Sequence, residues 1–201
     1  MGTLRREVDE TSVHLCIDMQ RLFASGGPWE TPWLPRVLPI VSEIVARQPD
    51  RTIFTRFVPA KSASEAPGNW RLFYEKWADV TLDRIDSDLV DLLPKLKAFV
   101  PPAKRFDRTT YSVFADGRLH AALQKMAVDT VVFSGSETDV CVLASVLDAV
   151  DHGYRTIVVS DALASSSDQS HDALIALYKK RFDIQIELCL AEELMRAWNT
   201  R

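Results

Sequence analysis

The reactive chemistry of this 201-residue chain rests on three cysteines, four histidines and a few charged residues that follow apolar runs. The cysteines are not equivalent in position. Cys16 lies inside the apolar run VHLCI, and Cys189 stands in the approach to the last helical stretch, so both read as small buried apolar residues. Cys141 ends the segment SGSETDVC and opens a helical pattern, where unpaired backbone N–H groups and the helix dipole favour an anion. A thiolate there is expected to have a lowered pKa. No two cysteines form a CxxC pair, and His14, His120, His152 and His171 show no HxxH or HExxH spacing, so no zinc site is expected.

Charged residues that end apolar runs supply the partners. Asp18 follows the first run, Arg56 closes the second, Asp107 and Arg108 follow the third, and Asp161 follows the fifth. A carboxylate can take a thiol proton, and a cation nearby holds the thiolate and its base in place. A cysteine nucleophile with an acid from strand one and a cation from strand three is therefore the expected constellation. Competing chemistries lack their residues: Asp18-Met19-Gln20-Arg21 stands where a dinucleotide fingerprint needs GxGxxG, and no GxxxxGK[ST] occurs. The nucleophile elbow GxSxG fails as well, because Ser134 replaces the glycine two residues before Ser136.

Those residues must be placed by the surrounding elements. Apolar runs at 13–17, 52–57, within 98–107, and at 130–133, 156–159 and 184–188 predict six strands, short and unpatterned as parallel strands are. Between them, amphipathic stretches at 36–48, 89–96, 117–127, 143–150, 170–181 and 191–198 predict helices, with Gly153 at the C′ position of the fourth. Strict alternation implies an α/β fold, a mainly parallel sheet of about six strands with helices on both faces. In such a sheet ligands bind outside the carboxyl ends of the strands, where the residues above collect. An irregular insertion at about 58–88 holds Trp70, Phe73, Tyr74 and Trp77; it reads as a lid or pocket wall, or as a short helix packing on the core. No linker or repeat divides the chain, so one domain over 1–201 is expected.

Composition narrows the partners. The chain is 47% hydrophobic and 26% charged with a formal net charge of -4, its 24 Lys and Arg scattered among 28 Asp and Glu, so no basic surface for nucleic acid or anionic membrane is expected. A small-molecule partner is the default. The odd, sparse cysteine count argues for a reducing compartment, no apolar run approaches a bilayer span, and the charged N-terminus lacks an apolar h-region. A soluble, cytoplasmic protein is expected.

The segments VHLCIDMQRLF, FDRTTYSVF and VVFSGSETDVCVLASVLDAVDHGYRTIVVSDALASSS together resemble the isochorismatase-like cysteine hydrolases, which include nicotinamidases and N-carbamoylsarcosine amidase. The resemblance implies a Rossmann-like, isochorismatase-like three-layer αβα domain that hydrolyses amides and related bonds with an Asp, Lys and Cys triad. It implies Asp18 as general base and Cys141 as nucleophile. The lysine position falls on Arg108 in FDRTTYSVF, where the chain departs from the pattern; Lys104 is the other candidate. Both share strand parity, but four residues of strand are about 13 Å, which sets Lys104 well back from the carboxyl edge. Arg108 is therefore favoured, and arginine is a poor proton donor.

The resemblance also implies a cis peptide between Ser136 and Glu137, with the Glu137 and Cys141 N–H groups forming an oxyanion hole, and a homo-oligomer. Nicotinamidases carry an aspartate and two histidines after strand two where this chain reads TRFVPAKSA, which predicts no metal or other cofactor and disfavours nicotinamide as substrate. Phe23, Trp70 and Tyr111 are the candidate substrate-binding walls. The expected activity is cleavage of a C–N bond in a small amide, ureido or imide-like molecule through a thioester. The alternatives are a non-catalytic small-molecule-binding protein on the same fold, or vinyl-ether hydrolysis of an isochorismate-type substrate.

Overall fold

The computed structural model describes residues 4–198. In chain order the elements are β1 (Ser12–Ile17), α1 (Leu34–Arg47), β2 (Thr52–Phe57), α2 (Asn69–Lys76), α3 (Pro94–Lys97), β3 (Lys104–Arg108), α4 (Arg118–Lys125), β4 (Thr130–Ser136), α5 (Leu143–Asp151), β5 (Arg155–Ala164), α6 (Asp168–Arg181), β6 (Ile186–Cys189) and α7 (Ala191–Ala197). Every residue of β1 and β4 is buried, which is why both are rich in apolar residues without a polar face turned to solvent.

The strands form one six-stranded sheet in the order β3-β2-β1-β4-β5-β6, and every pairing is parallel. Side chains alternate across it. Val13, Leu15 and Ile17 of β1 pack with Leu119 and Leu123 of α4, Val146 of α5 and Leu174 of α6. Cys16 points the other way, into a core with Val41 and Ile44 of α1, Leu96 of α3 and Leu194 of α7. The result is a three-layer αβα fold. His14, fully buried on β1, bridges Thr52 of β2 and Ser134 of β4, and burial holds its pKa down to about 3, so it is a neutral tie between strands.

The strand order reverses between β1 and β4, the switch point where open α/β sheets bind their ligands. Ile17 pairs with Gly135 there, so Asp18 and Glu137 leave adjacent strands side by side.

Two expectations are corrected. Residues 89–96 do not form a helix: a short 3-10 turn covers Ser87–Val90, Leu92 bridges Gln20, and α3 starts only at Pro94. Proline is favoured at the first helical position and pushes the residue before it to extended backbone, as at Leu93, so Pro94 starts a helix there and splits the apolar pattern. The fifth strand, expected over 156–159, runs from Arg155 to Ala164, with its pairing to β4 shifted between Phe133 and Gly135 and resumed at Leu163 and Ala164. The polar pair Ser160-Asp161 in that irregularity hid the continuation.

Gly135 has a φ of +111°, and a Cβ on it would lie 2.0 Å from the Ile17 carbonyl oxygen. Only glycine lets the two strands meet at the switch point. Gly135→Ala is expected to destabilise the fold by about 3 kcal/mol or more, read as the change in the free energy of urea unfolding.

Candidate active site

Asp18 is the first residue after β1, fully buried and at a φ of +49° that turns the chain away from the sheet. Thr55 of β2, also fully buried, grips it twice: its hydroxyl donates to Asp18 Oδ1 at 2.9 Å and accepts from the Asp18 N–H at 3.2 Å. The other carboxylate oxygen, Oδ2, accepts from Arg108 Nη2 in a buried ion pair. Arg108 is the last residue of β3 and 3% exposed, with its guanidinium 5.2 Å over the Phe57 ring. Its Nε and Nη1 have no hydrogen-bond partner among the described residues. Lys104, at the other end of β3, is exposed and reaches Met126 instead.

Cys141 completes the group. Its thiol sits within hydrogen-bonding reach of both Asp18 and Arg108. Burial pushes the Cys141 thiol well above its ordinary value, and the Asp18 charge pushes it further, against a smaller opposing effect of Arg108. The lowered pKa expected from the helix N-terminus is thus corrected: desolvation of a thiolate, beside a carboxylate, outweighs the dipole. Burial raises the other two cysteines also, Cys189 to about 12; Cys189 feels Glu193, Asp161, Glu187 and Arg155 only through their charges, and Cys16 has no cation acting on it among the described residues.

Cys141 stands on a π-helical turn, Thr138–Val142, that joins β4 to α5. The turn is held from several sides: Thr138 Oγ1 donates to the Ala164 carbonyl at 3.0 Å, and Ser145 Oγ donates to the Cys141 carbonyl at 2.7 Å while accepting from the Val113 N–H. The Ser136–Glu137 peptide before it is cis. Thr31 donates to Glu137 Oε1 at 3.2 Å, and the Glu137 N–H donates to no group among the described residues.

A cavity of about 390 Å³ opens in front of Cys141. Its walls are rings: Phe23, Trp29, Phe57, Phe73, Trp77 and Tyr111, with Glu30 and Glu137 as the charged lining groups. Trp29 is the hub, with ring centroids about 6 Å from those of Phe23, Phe57, Phe73 and Trp77. Phe23 and Tyr111 therefore line the cavity, whereas Trp70 does not. Trp70 packs behind, 4.6 Å from the Tyr111 ring and about 6 Å or less from the rings of Phe57, Phe73 and Tyr74. The insertion thus supplies both a wall and its packing.

The remaining strand-end residues go elsewhere. Arg56 forms a two-point ion pair with Asp107 and a further contact with Asp91, and Asp161 accepts from the Ala191 N–H at the start of α7. Three residues of the site escaped the reading of the sequence. Thr55 and Trp29 carry no spacing signal. Gln20, fully buried, donates to the Phe57 and Val90 carbonyls and accepts from the Phe57 N–H, fastening β2 to the chain after β1. Among the described residues no group of three His, Cys, Asp or Glu side chains could hold a metal ion, and no helix is long and apolar enough to cross a membrane.

Known proteins share this arrangement of elements. A cysteine hydrolase from Pseudomonas syringae pv. phaseolicola superposes with a TM-score of 0.82 over 98% of this chain and 97% of its own, at 19% identity, a likeness of fold. Isochorismatase family protein 1A of Dictyostelium discoideum is 38% identical over 79 residues, 39% of this chain but only 37% of the relative's length. Nicotinamidase 3 of Arabidopsis thaliana is 29% identical over 164 residues, 80% of this chain and 77% of its own. The isochorismatase domain matches residues 12–188, from β1 into β6 and through Asp18, Arg108 and Cys141, and the chain belongs to the isochorismatase family.

Proposed function

We propose that this protein is a cysteine hydrolase that cleaves a C–N bond in a small amide, ureido or imide-like molecule through a thioester. The observation that carries this reading is the contact of a thiol, a carboxylate and a guanidinium, all buried, at the inner end of one cavity. Asp18 takes the Cys141 proton as Sγ attacks the carbonyl carbon, and the carbonyl oxygen becomes an oxyanion against the Glu137 and Cys141 N–H groups. Collapse of this intermediate breaks the C–N bond while Asp18 returns the proton to the leaving nitrogen. Water then attacks the thioester: Asp18 takes its proton, Sγ leaves, and the proton passes back to sulfur. Arg108 stays charged throughout, because a guanidinium holds its proton at any ordinary pH, and orients Asp18. The cavity suits a small molecule.

One feature favours a second reading, binding without turnover: Arg108 stands where the resemblance predicts lysine. If neither the parent nor Arg108→Lys releases amine from a panel of small amides while one of them raises the melting temperature, the binding reading replaces the hydrolase.

Two expectations follow from the site. First, the Asp18 charge disfavours the Cys141 thiolate, so Asp18→Asn lowers the Cys141 pKa and speeds its alkylation by iodoacetamide at pH 8, while Arg108→Gln slows it; mass spectrometry of the Cys141 peptide reads both rates. Equal rates in all three proteins would sink the assignment of the contacts. Second, Asp18→Asn loses about 10²–10⁴-fold in kcat/KM despite its more reactive thiol, and Cys141→Ala falls to background. Thr55→Val, which loosens Asp18 without removing it, loses about tenfold or more in kcat with KM little changed; a loss confined to KM would contradict a positioning role.

A further inference from the structure

The charges around the cavity have one sign. Glu30 and Glu137 line it, and among the described residues no Lys, Arg or His does; the Arg108 charge is matched by Asp18. Each carboxylate is held at one oxygen only: Glu137 Oε1 by Thr31, and Glu30 Oε2 by the Gly26 N–H at 3.0 Å. Their other oxygens accept nothing from the described residues and are available to a guest. The rest of the wall is aromatic, and ring faces carry negative quadrupole potential. Two of these rings already have cations over them, Arg108 over Phe57 at 5.2 Å and the exposed Lys76 over Trp77 at 5.7 Å.

This lining discriminates among guests. An anionic molecule would shed its hydration to meet carboxylates and ring faces, with no cation to pair it. A neutral apolar molecule would fit the rings but would strip water from the free carboxylate oxygens without replacing it. A cationic group satisfies both: it pairs with the carboxylates and lies against aromatic faces, the combination that recognises ammonium ligands elsewhere.

We infer that the substrate is a small amide bearing an ammonium group, with its carbonyl at Cys141 and its cation against the aromatic wall and the carboxylates of Glu30 and Glu137. The amide half of this inference rests on the hydrolase reading; the ammonium half rests on the wall alone.

The test uses three probes of similar size: trimethylammonioacetamide, its uncharged isostere 3,3-dimethylbutanamide, and the anion succinamate. Binding is measured by calorimetry on Cys141→Ala, and ammonia release is measured on the parent. The cation is expected to bind about tenfold or more tighter than the isostere, with succinamate weakest and release following the same order. Glu137→Gln and, independently, the exposed Glu30→Gln, each made in Cys141→Ala and checked for an intact melting transition, are expected to shrink the cation-to-isostere ratio. An isostere or anion that binds as tightly as the cation overturns the inference, as does the failure of all three to bind at millimolar concentration. Preferential binding of the cation with no ammonia released upholds the ammonium site and sinks the hydrolase reading instead.

Discussion

Everything at this site depends on the ion pair between Asp18 and Arg108, a carboxylate fully buried and a guanidinium 3% exposed. Removing two charges from water costs several kcal/mol per ion, and losing one partner leaves the other stranded at a cost of about 3–5 kcal/mol. The surrounding fold is arranged to hold both. Thr55 grips the carboxylate side chain and its backbone, the Phe57 ring lies under the guanidinium, and Gln20 fastens the end of β2 to the chain beyond β1. The pair also governs the thiol. Losing the Cys141 proton to bulk water would add a net negative charge to a buried, otherwise balanced group, and so the thiol is pushed up. Passing the proton to Asp18 leaves the net charge unchanged. In the proposed reaction the nucleophile is accordingly made only as it attacks, within a group whose charge stays constant.

Arginine rather than lysine in this pair has a definite consequence. Lysine could lend a proton, whereas arginine holds its charge at any ordinary pH. In the proposed reaction proton traffic therefore falls to Asp18 alone, and Arg108 contributes position and a fixed field. Its Nε and Nη1 are buried and have no hydrogen-bond partner among the described residues.

The fold was legible because parallel strands buried on both faces are rich in apolar residues, and β1, β2 and β4 each carry such a run around a few polar residues that the fold pairs or buries. Asp18 and Cys141 stood out because they end or follow such runs. Legibility failed where contacts, not patterns, decide. Leu89, Leu92, Leu93 and Leu96 have helical spacing, yet Pro94 and the bridge from Leu92 to Gln20 break the stretch into turns. Thr55 looks like any β-branched strand residue, and only the path of the neighbouring strand brings its hydroxyl to Asp18. Among the aromatics, spacing shows that some must pack and others face a ligand, but Trp70 and Trp77 fall on one helical stripe, so only their neighbours in space decide that Trp77 lines the cavity and Trp70 does not. The thiol of Cys141 was misjudged because position on a helix is written in the sequence and burial is not.

The wall that would select the substrate and the turn that carries the nucleophile share a connection. Thr31, fully buried, donates to Glu137 Oε1 and accepts from Ser136 Oγ, while its N–H donates to the Phe23 carbonyl. One side chain thus joins the segment bearing Phe23, Trp29 and Glu30 to both residues that precede the Cys141 turn. Glu137 itself faces two ways, its N–H free beside the turn and its carboxylate on the cavity wall. A guest drawn toward that carboxylate pulls on the residue whose N–H would receive the oxyanion. The wall and the turn at sulfur are therefore joined through Thr31 and Glu137, and in the proposed reaction a wall that selects a substrate by charge would also set its carbonyl in register with Cys141.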